Sequence, residues 1–216
     1  NNKYFDSFRI EIFIISTNRS DYGLLQPLIK KFNSSKEFKL TVIKIVDEKN
    51  YFLDNTINSY WNEEIIACSS SSNSSSTSIT GLIEITISFS SFINKYVPKL
   101  IIVLGDRYEL LPIVSQALLS KIPIAHISGG EITEGVIDDK IRNMVSFSAD
   151  IHFVAHKNAK DRLKNLLGYK SGDKIFLVGE PGLEEIKNTK LKTINELSSL
   201  YNLDLNKKFI LCTLHP

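Results

Sequence analysis

The sequence predicts an α/β protein with a doubly wound, Rossmann-like parallel sheet. Two observations favour this class: β-branched segments of strand length alternate with segments of helical periodicity, and several strand-like segments are apolar throughout. Leu100–Leu104 is such a continuous apolar run, which is typical of a central strand in a parallel sheet, where helices cover both faces. Because crossovers between parallel strands are right-handed, repeated strand–helix units build one sheet with helices on each face.

The predicted elements follow one another in regular order along the chain. The strands cover residues 10–16, 38–46, 100–104, 122–127, 151–154, 174–178 and 208–214. The helices cover residues 22–32, 82–97, 108–119, 136–148, 158–167, 182–187 and 193–201. Segment 82–97 is rich in β-branched residues, but its length and the strand that follows Pro98 favour a helix. Ser20 or Asp21 is the candidate N-cap of the first helix.

No element is predicted between residues 47 and 80. The serine-rich run from Ser69 to Ser78 has low complexity and indicates a mobile surface loop without a ligand role. We expect residues 1–187 to form a Rossmann-like domain and residues 188–206 to form a linker with a helix. Residues 207–216 are expected to supply the first strand of a second domain, the rest of which lies outside this sequence.

The composition is that of a soluble globular protein, because 43% of the 216 residues are hydrophobic and 23% are charged. The net charge of +2 is too small to favour nucleic acid or an acidic membrane surface as a partner. The sequence contains no apolar run of about 18 residues, the length that a membrane span needs. Its start lacks the apolar region of a signal peptide, so a cytoplasmic location is expected. Cys68 and Cys212 lack metal-site spacing and favour two reduced thiols.

Ligands of doubly wound sheets bind at the carboxyl ends of strands, so the loops after strands are the candidate binding loops. Arg19 lies beside a helix N-terminus, where backbone N–H groups and a guanidinium favour a phosphate, although for Arg19 taken alone a surface pair with Asp21 is the better explanation. Asp106 follows a buried strand and is either a catalytic acid or base or the N-cap of the next helix. The absence of GxxxxGK[ST] and GxGxxG motifs disfavours a P-loop kinase or an ordinary dinucleotide enzyme.

The loop after the strand 122–127 carries the densest set of polar groups. Gly129 and Gly130 allow a backbone to approach a ligand closely. Glu131, Asp138 and Asp139 follow near the same strand end. Carboxylates that share one edge raise one another's pKa, as general acid–base catalysis requires. A solvated helix start rich in aspartate is the alternative, but the glycine pair followed by a glutamate favours a functional site.

Two other features of this region have structural explanations. Asp138 and Arg142 are four residues apart, so they lie on one face of a helix and can form an ion pair. His126 is the penultimate residue of an apolar strand, a position more typical of a structural histidine than of a catalyst. His152 and His156 carry weaker signals still.

Six short segments are notable for their order and spacing. They are Ser16–Gly23 (STNRSDYG), Gly105–Glu109 (GDRYE), Ile122–Glu131 (IPIAHISGGE), Glu131–Arg142 (EITEGVIDDKIR), Val178–Leu183 (VGEPGL) and Leu214–Pro216 (LHP). In order and spacing they resemble the GTRxDYG, GDRxE, IPIAHIxGGE, ExTEGxIDDxIR, VGxPGL and FHP motifs of the hydrolysing UDP-N-acetylglucosamine 2-epimerases of the sialic-acid type. Each motif is weak alone, but six in order cover nearly the whole chain. The GGEITEG segment is also similar to the branch that acts on UDP-diacetylbacillosamine in legionaminic-acid synthesis.

The resemblance implies a two-domain GT-B fold with a UDP-sugar substrate in the cleft between the domains, and it suggests a homodimer. It implies a reaction that needs neither a metal nor a nicotinamide cofactor. Proton abstraction at C2 accompanies anti elimination of UDP, and water then adds to the resulting glycal to release the free 2-epimeric sugar. Such chemistry requires carboxylates near C2 and cations at the leaving diphosphate.

The resemblance also implies roles for individual residues by position. Asp106 and Asp138 would be the acid–base carboxylates, and Glu131 would support them. Arg19 and Arg142 would bind the diphosphate or order the carboxylates. His215 would lie near the phosphates at the domain cleft as a further catalytic residue. The other implied substrate-binding residues are Arg107, Ser128, Gly129 and Gly130.

The sequence departs from the family pattern at Ser128, where many relatives carry Glu and others His. Serine has no useful pKa near neutrality, so acid–base work at this position would pass to Glu131, or the activity would be weak. The family continues through a second domain, so we expect these 216 residues alone to turn over little or no UDP-N-acetylglucosamine. Two other interpretations stay open: an inactive fragment or nucleotide-sugar-binding remnant, and a GT-B glycosyltransferase. The GGE…IDD loop disfavours the transferase.

Overall fold

A seven-stranded, all-parallel sheet forms the centre of the protein, in the order β3-β2-β1-β4-β5-β6-β7. The computed structural model describes residues 9–47, 61–69, 75–133, 137–168 and 173–213. The strands are β1 Ile10–Ser16, β2 Phe38–Asp47, β3 Asn62–Cys68, β4 Leu100–Leu104, β5 Ile124–Ile127, β6 Ile151–Val154 and β7 Ile175–Leu177. The strand order reverses between β1 and β4, as in a doubly wound sheet, and this confirms the predicted fold class.

The described parts of the chain contain seven helices. They are α1 Arg19–Ser34, α2 Ser75–Tyr96, α3 Leu110–Leu119, α4 Ile137–Ser148, α5 Lys157–Leu167, α6 Pro181–Asn188 and α7 Ile194–Tyr201. Alternate residues of β1 show how the two faces are covered. Ile12 and Ile14 belong to the core cluster that includes residues of α1. Phe13 and Ile15 point to the other face, where they belong to the cluster that includes residues of α2, α3 and α4.

The strand β3 was not predicted, because its sequence carries an unfavourable signal. Glu63 and Glu64 stand at its start, and glutamate is depleted in strands. The strand nevertheless pairs in parallel with β2 along its whole length and forms one edge of the sheet. Helix α2 also begins earlier than predicted, at Ser75, inside the serine-rich run that was expected to be a loop. Serine disfavours helix by only about half a kcal/mol per residue, and α2 is fixed by the burial of Ile85 and Phe89.

Two other predicted details are wrong. The N-cap of α1 is Asn18, whose Oδ1 accepts from the backbone N–H of Asp21 at 2.8 Å, rather than Ser20 or Asp21. The predicted strand 208–214 is absent from residues 208–213, and Ile210 is 92% exposed. A strand needs a hydrogen-bonding neighbour, and these residues pair with none of the seven strands. The division into domains at residues 187 and 207 stays a prediction.

A buried ionic cluster joins β2, β3 and the start of α1. Lys44 Nζ lies 3.7 Å from Glu63 Oε2, and the two side chains are 9% and 3% exposed. Glu63 Oε1 accepts hydrogen bonds from the Tyr22 hydroxyl at 2.5 Å and from Trp61 Nε1 at 2.8 Å. The Lys44 ammonium also lies 4.9 Å from the centre of the Tyr22 ring. Glu63, which made β3 difficult to predict from the sequence, is therefore a structural residue that links the edge strand to α1.

We predict that Glu63→Gln lowers the free energy of unfolding by roughly 3 kcal/mol, because it removes a carboxylate charge beside a buried ammonium. Urea unfolding followed by circular dichroism measures the change. Glu64→Gln is the matched control, since Glu64 pairs with the exposed Lys95 at 2.8 Å and should cost less than about 1 kcal/mol. Equal losses in the two variants would contradict the prediction.

Candidate active site

The carboxyl ends of β4 to β7 bring most of the predicted site residues to one edge of the sheet. Parallel strands place all their carboxyl ends on the same edge, where ligands of such sheets bind. Asp106 follows β4, the segment 128–131 follows β5, His156 follows β6 and Glu180 follows β7. Gly105 N–H donates to the Ile127 carbonyl at 3.0 Å, so the loops after β4 and β5 begin side by side.

A buried guanidinium connects these loops. The Arg142 side chain, on α4, is 9% exposed and forms an ion pair with the Asp106 carboxylate. Its Nη1 donates to Thr133 Oγ1 at 3.0 Å and lies 3.7 Å from Asp139 Oδ1. Burial and the nearby positive charge of Arg162 lower the pKa of Arg142 from its usual value. Arg142 therefore fixes the loop after β4 and the loop after β5 to the same helix.

These contacts correct two predicted alternatives. Asp106 does not cap a helix: Glu109 holds the N-cap position of α3, without a side-chain cap bond, and Asp106 turns to Arg142 instead. Arg142 pairs with Asp139 at i−3 rather than with the predicted Asp138. Asp138 is half-buried in the first turn of α4 and forms no hydrogen bond or ion pair with other described residues.

His126 lies buried beneath the site as a neutral side chain. The side chain is fully buried, and its Nε2–H donates to the Gly105 carbonyl at 2.7 Å. Its Nδ1 then accepts from the Ser146 hydroxyl at 3.0 Å. Burial lowers the pKa of His126 to about 4; the bond to Gly105 opposes this shift and the nearby His152 adds to it. Both ring nitrogens have structural partners, in agreement with the structural interpretation of this residue.

We predict that the protein loses stability as the pH falls from about 6.5 to about 4. In this window the unfolded chain takes up a proton on His126 while the folded protein does not, so acid favours unfolding by about 3 kcal/mol. The pKa of His152 is also lowered by burial, so it contributes with the same sign. Urea unfolding at pH 7.5, 6 and 4.5 measures the effect, and His126→Asn should flatten the profile. A flat profile in the unsubstituted protein would contradict the assignment.

Gly129 and Gly130 are required by packing inside the protein itself. A Cβ on Gly129 would lie 2.9 Å from both His126 Nδ1 and Ser146 Oγ. Gly130 has φ +79°, and a Cβ there would lie 2.5 Å from the Ala159 carbonyl oxygen of α5. The close approaches that the glycines permit are thus to α4 and α5, whereas the sequence suggested an approach to a ligand.

We predict that Gly130→Ala destabilises the fold by more than about 2 kcal/mol, because it adds a clash with backbone to a left-handed conformation. Gly23→Ala is the matched control: Gly23 lies within α1, and a Cβ there would meet nothing within 4 Å. Removing a helical glycine should stabilise the protein by up to about 1 kcal/mol. Thermal unfolding of both variants gives the comparison, and a Gly130→Ala protein that melts with the unsubstituted one would refute the packing role.

Two further carboxylates at this edge have specific partners. His156 caps α5 by accepting the Ala159 N–H on Nδ1 at 3.2 Å, so its Nε2–H donates to Glu131 Oε2 at 3.0 Å. The Ser128 hydroxyl donates to Glu180, at 3.1 Å from Oε1 and 3.2 Å from Oε2. Sequence reasoning missed Glu180, although its position directly after a strand, in the variable place of the VGxPGL motif, could have indicated it.

Three predicted residues stand apart from this cluster. Arg19 is exposed at the start of α1 and makes no hydrogen bond or ion pair within the described ranges. It does not pair with Asp21, whose carboxylate accepts from the Thr17 hydroxyl. Arg107 donates to the buried Glu109 at 2.9 Å. His215 lies outside the described residues.

Two kinds of feature are absent from the residues that the structure describes. No helix there is long and apolar enough to cross a membrane. No group of three or more His, Cys, Asp or Glu side chains there could hold a metal ion. Cys68 is buried and Cys212 is exposed, and they form no disulfide within the described residues.

The sequence profile of the UDP-N-acetylglucosamine 2-epimerase family matches residues 30–216. The chain belongs to this family. It is 29% identical over 213 residues to a UDP-N,N'-diacetylbacillosamine 2-epimerase (hydrolyzing) of Legionella pneumophila, and the match covers 95% of this chain and 55% of that protein. It is 30% identical over 230 residues to a GDP/UDP-N,N'-diacetylbacillosamine 2-epimerase (hydrolyzing) of Campylobacter jejuni, covering 95% and 54%. The chain thus spans about half the length of these relatives.

A solved structure shows the same fold. The UDP-GlcNAc 2-epimerase of Neisseria meningitidis, determined bound to UDP-GlcNAc, superposes with a TM-score of 0.69 at 18% identity. The match covers 89% of this chain and 54% of the Neisseria chain. The sheet described above is therefore the fold expected of the N-terminal domain of a GT-B protein.

Proposed function

We propose that the protein catalyses the hydrolysing 2-epimerisation of a UDP-linked N-acetylated amino sugar, either UDP-N-acetylglucosamine or UDP-diacetylbacillosamine. The products are UDP and the free 2-epimeric sugar. The observation that carries this proposal is the Asp106–Arg142 pair at the sheet edge, within a cluster that also presents Glu131 and Asp138. Family membership and relatives named for hydrolysing epimerisation of diacetylbacillosamine support the same reaction class.

The elimination step requires a base beside C2 of the sugar. Ionised Asp106 takes the C2 proton, the electrons of the C2–H bond form the C1=C2 double bond, and the C1–O bond breaks with UDP as the leaving group. Arg142 holds the Asp106 carboxylate in one orientation and neutralises its charge. A fixed carboxylate lowers the barrier because its geometry is set before the substrate arrives.

The remaining groups suit binding and hydration. Arg19 projects from the start of α1, where its guanidinium and the helix N-terminus attract the UDP diphosphate. Glu131, held by His156, and Asp138, in the first turn of α4, lie at the same edge to support proton transfer. Elimination and hydration together move protons but no net electrons, so the reaction requires no nicotinamide cofactor.

We predict that Asp106→Asn lowers the rate of UDP release at least about 100-fold, as loss of a general base does. The assay uses the complete natural polypeptide that contains this sequence, with each UDP-sugar, and follows UDP by ³¹P NMR and the free sugar by ¹H NMR. In D₂O the product should carry deuterium at C2. Asp204→Asn, in an exposed pair with Lys207, is the control and should leave the rate unchanged. No UDP release from either sugar by the unsubstituted protein would refute the proposed function.

A further inference from the structure

The proposed reaction needs two proton-transferring groups on opposite sides of the sugar ring. A 2-epimerase must remove the C2 proton from one face and return a proton to C2 from the other. A single carboxylate that keeps its position cannot reach both faces. The reaction therefore requires a second acid–base group near Asp106, and it must approach the sheet edge from a different direction.

Most carboxylates of the cluster belong to one layer of the fold. Asp106 is tied to Arg142 on α4, Asp138 lies on α4 itself, and Glu131 is tied to His156 at the start of α5. Helix α4 covers the sheet face to which Phe13 and Ile15 point. Helix α5 lies on this same side of the edge, because its Ala159 packs against the loop between β5 and α4.

Glu180 reaches the edge from the other layer. It lines an open cavity of about 670 Å³ that is bordered by α1, α6 and the sheet face carrying Ile102, Ile127 and Phe153. Those three side chains belong to the core cluster on the α1 face. Glu180 thus borders open space on the face of the sheet opposite to α4.

Glu180 follows β7, and its side chain extends past the end of β6 to Ser128 at the end of β5. The backbone N–H of Ser128 donates to the Phe153 carbonyl of β6 at 2.9 Å. The backbone of Ser128 is left-handed, with φ +60°. The Ser128 hydroxyl contacts both carboxylate oxygens of Glu180. The segment before Ser128 pairs with β4 up to Gly105. Neighbouring strands are about 4.8 Å apart, so Ser128, which holds the Glu180 carboxylate, lies roughly one strand spacing from the start of the loop of Asp106.

Asp106 and Glu180 have different hydrogen-bonding partners, and each partner suits the proton transfer proposed for its carboxylate. Arg142 gives Asp106 a permanent positive partner, which suits a base that begins ionised. The partner of Glu180 is a hydroxyl, which can donate to a carboxylate or accept from a carboxylic acid. The Ser128–Glu180 contact therefore persists when Glu180 gains or loses a proton.

We propose that Glu180, held by Ser128, is the second catalytic carboxylate and delivers the proton to C2 on the ring face opposite to Asp106. The inference rests on the proposed function. In the hydration step, the acid form of Glu180 protonates C2 with the electrons of the C1=C2 bond, and water attacks C1 to form the new C1–O bond. The attacking water gives its surplus proton to Glu180, and Asp106 releases the proton from the first step to solvent.

The test separates the two half-reactions in the complete natural polypeptide. We expect Glu180→Gln to release UDP at a rate within about threefold of the unsubstituted protein, to accumulate the glycal, and to form at least about 100-fold less free epimer. When the glycal is supplied as substrate, Asp106→Asn should still hydrate it and Glu180→Gln should not. Ser128→Ala should slow glycal hydration about tenfold, because it removes one hydrogen bond to a charged group.

Glu184→Gln is the matched control, since Glu184 lies on the neighbouring helix and pairs with the exposed Lys31 at 3.3 Å. It should leave both half-reactions unchanged. Circular dichroism melting should show that Glu180→Gln folds normally, because glutamine keeps an acceptor for the Ser128 hydroxyl. Formation of the epimer by Glu180→Gln at the unsubstituted rate, or loss of UDP release in that variant, would overturn the inference. Absence of UDP release from the unsubstituted protein would instead overturn the proposed function.

Discussion

The ion pair between Arg142 and Asp106 is the interaction on which the order of the candidate site depends. A buried guanidinium is stable only when a counter-charge and hydrogen-bond acceptors surround it. Asp106, Asp139 and Thr133 supply these groups from three segments of the chain. The contacts of this one guanidinium therefore fix the loop after β4, the loop after β5 and the first turn of α4 relative to one another.

The layer beneath this pair is rigid because it has no spare volume. His126 fills the space between β4 and α4 and uses both ring nitrogens, one on Gly105 and one on Ser146. The backbone at Gly129 passes so close to the ring that a methyl group would not fit. A neutral histidine in this place allows a polar loop to lie directly on the core, since it satisfies polar groups of both neighbours without a buried charge.

The two faces of the sheet contribute different chemistry to the shared edge. The α4 and α5 side presents carboxylates tied to a guanidinium and an imidazole, whereas the α1 and α6 side presents Glu180 beside an apolar cavity. Successive side chains of a strand point to opposite faces of the sheet, and different helices cover the two faces. The two sides of the edge therefore carry different side chains. Carboxylates that approach one edge from both faces of the sheet suit a reaction that inverts a stereocentre.

The sequence by itself determined the fold class and the bounds of β1, β4 and β6, because these segments are rich in β-branched and other apolar residues. In β4, burial on both faces of the sheet leaves an unbroken apolar run. The sequence also located Asp106 and Glu131 in the loops after strands and Arg142 on the helix that follows one of these loops, since position after a strand is a local property of the chain. It missed β3, whose Glu63 is stabilised by groups distant in the chain. It also assigned a strand at 208–214, and no partner strand lies alongside residues 208–213. Only the tertiary structure decided that Arg142 pairs with Asp106, 36 residues away, and that Ser128 holds Glu180, 52 residues away. Such pairs arise from the parallel arrangement of strands, which brings distant loops to one edge, and no local pattern encodes which side chains then meet.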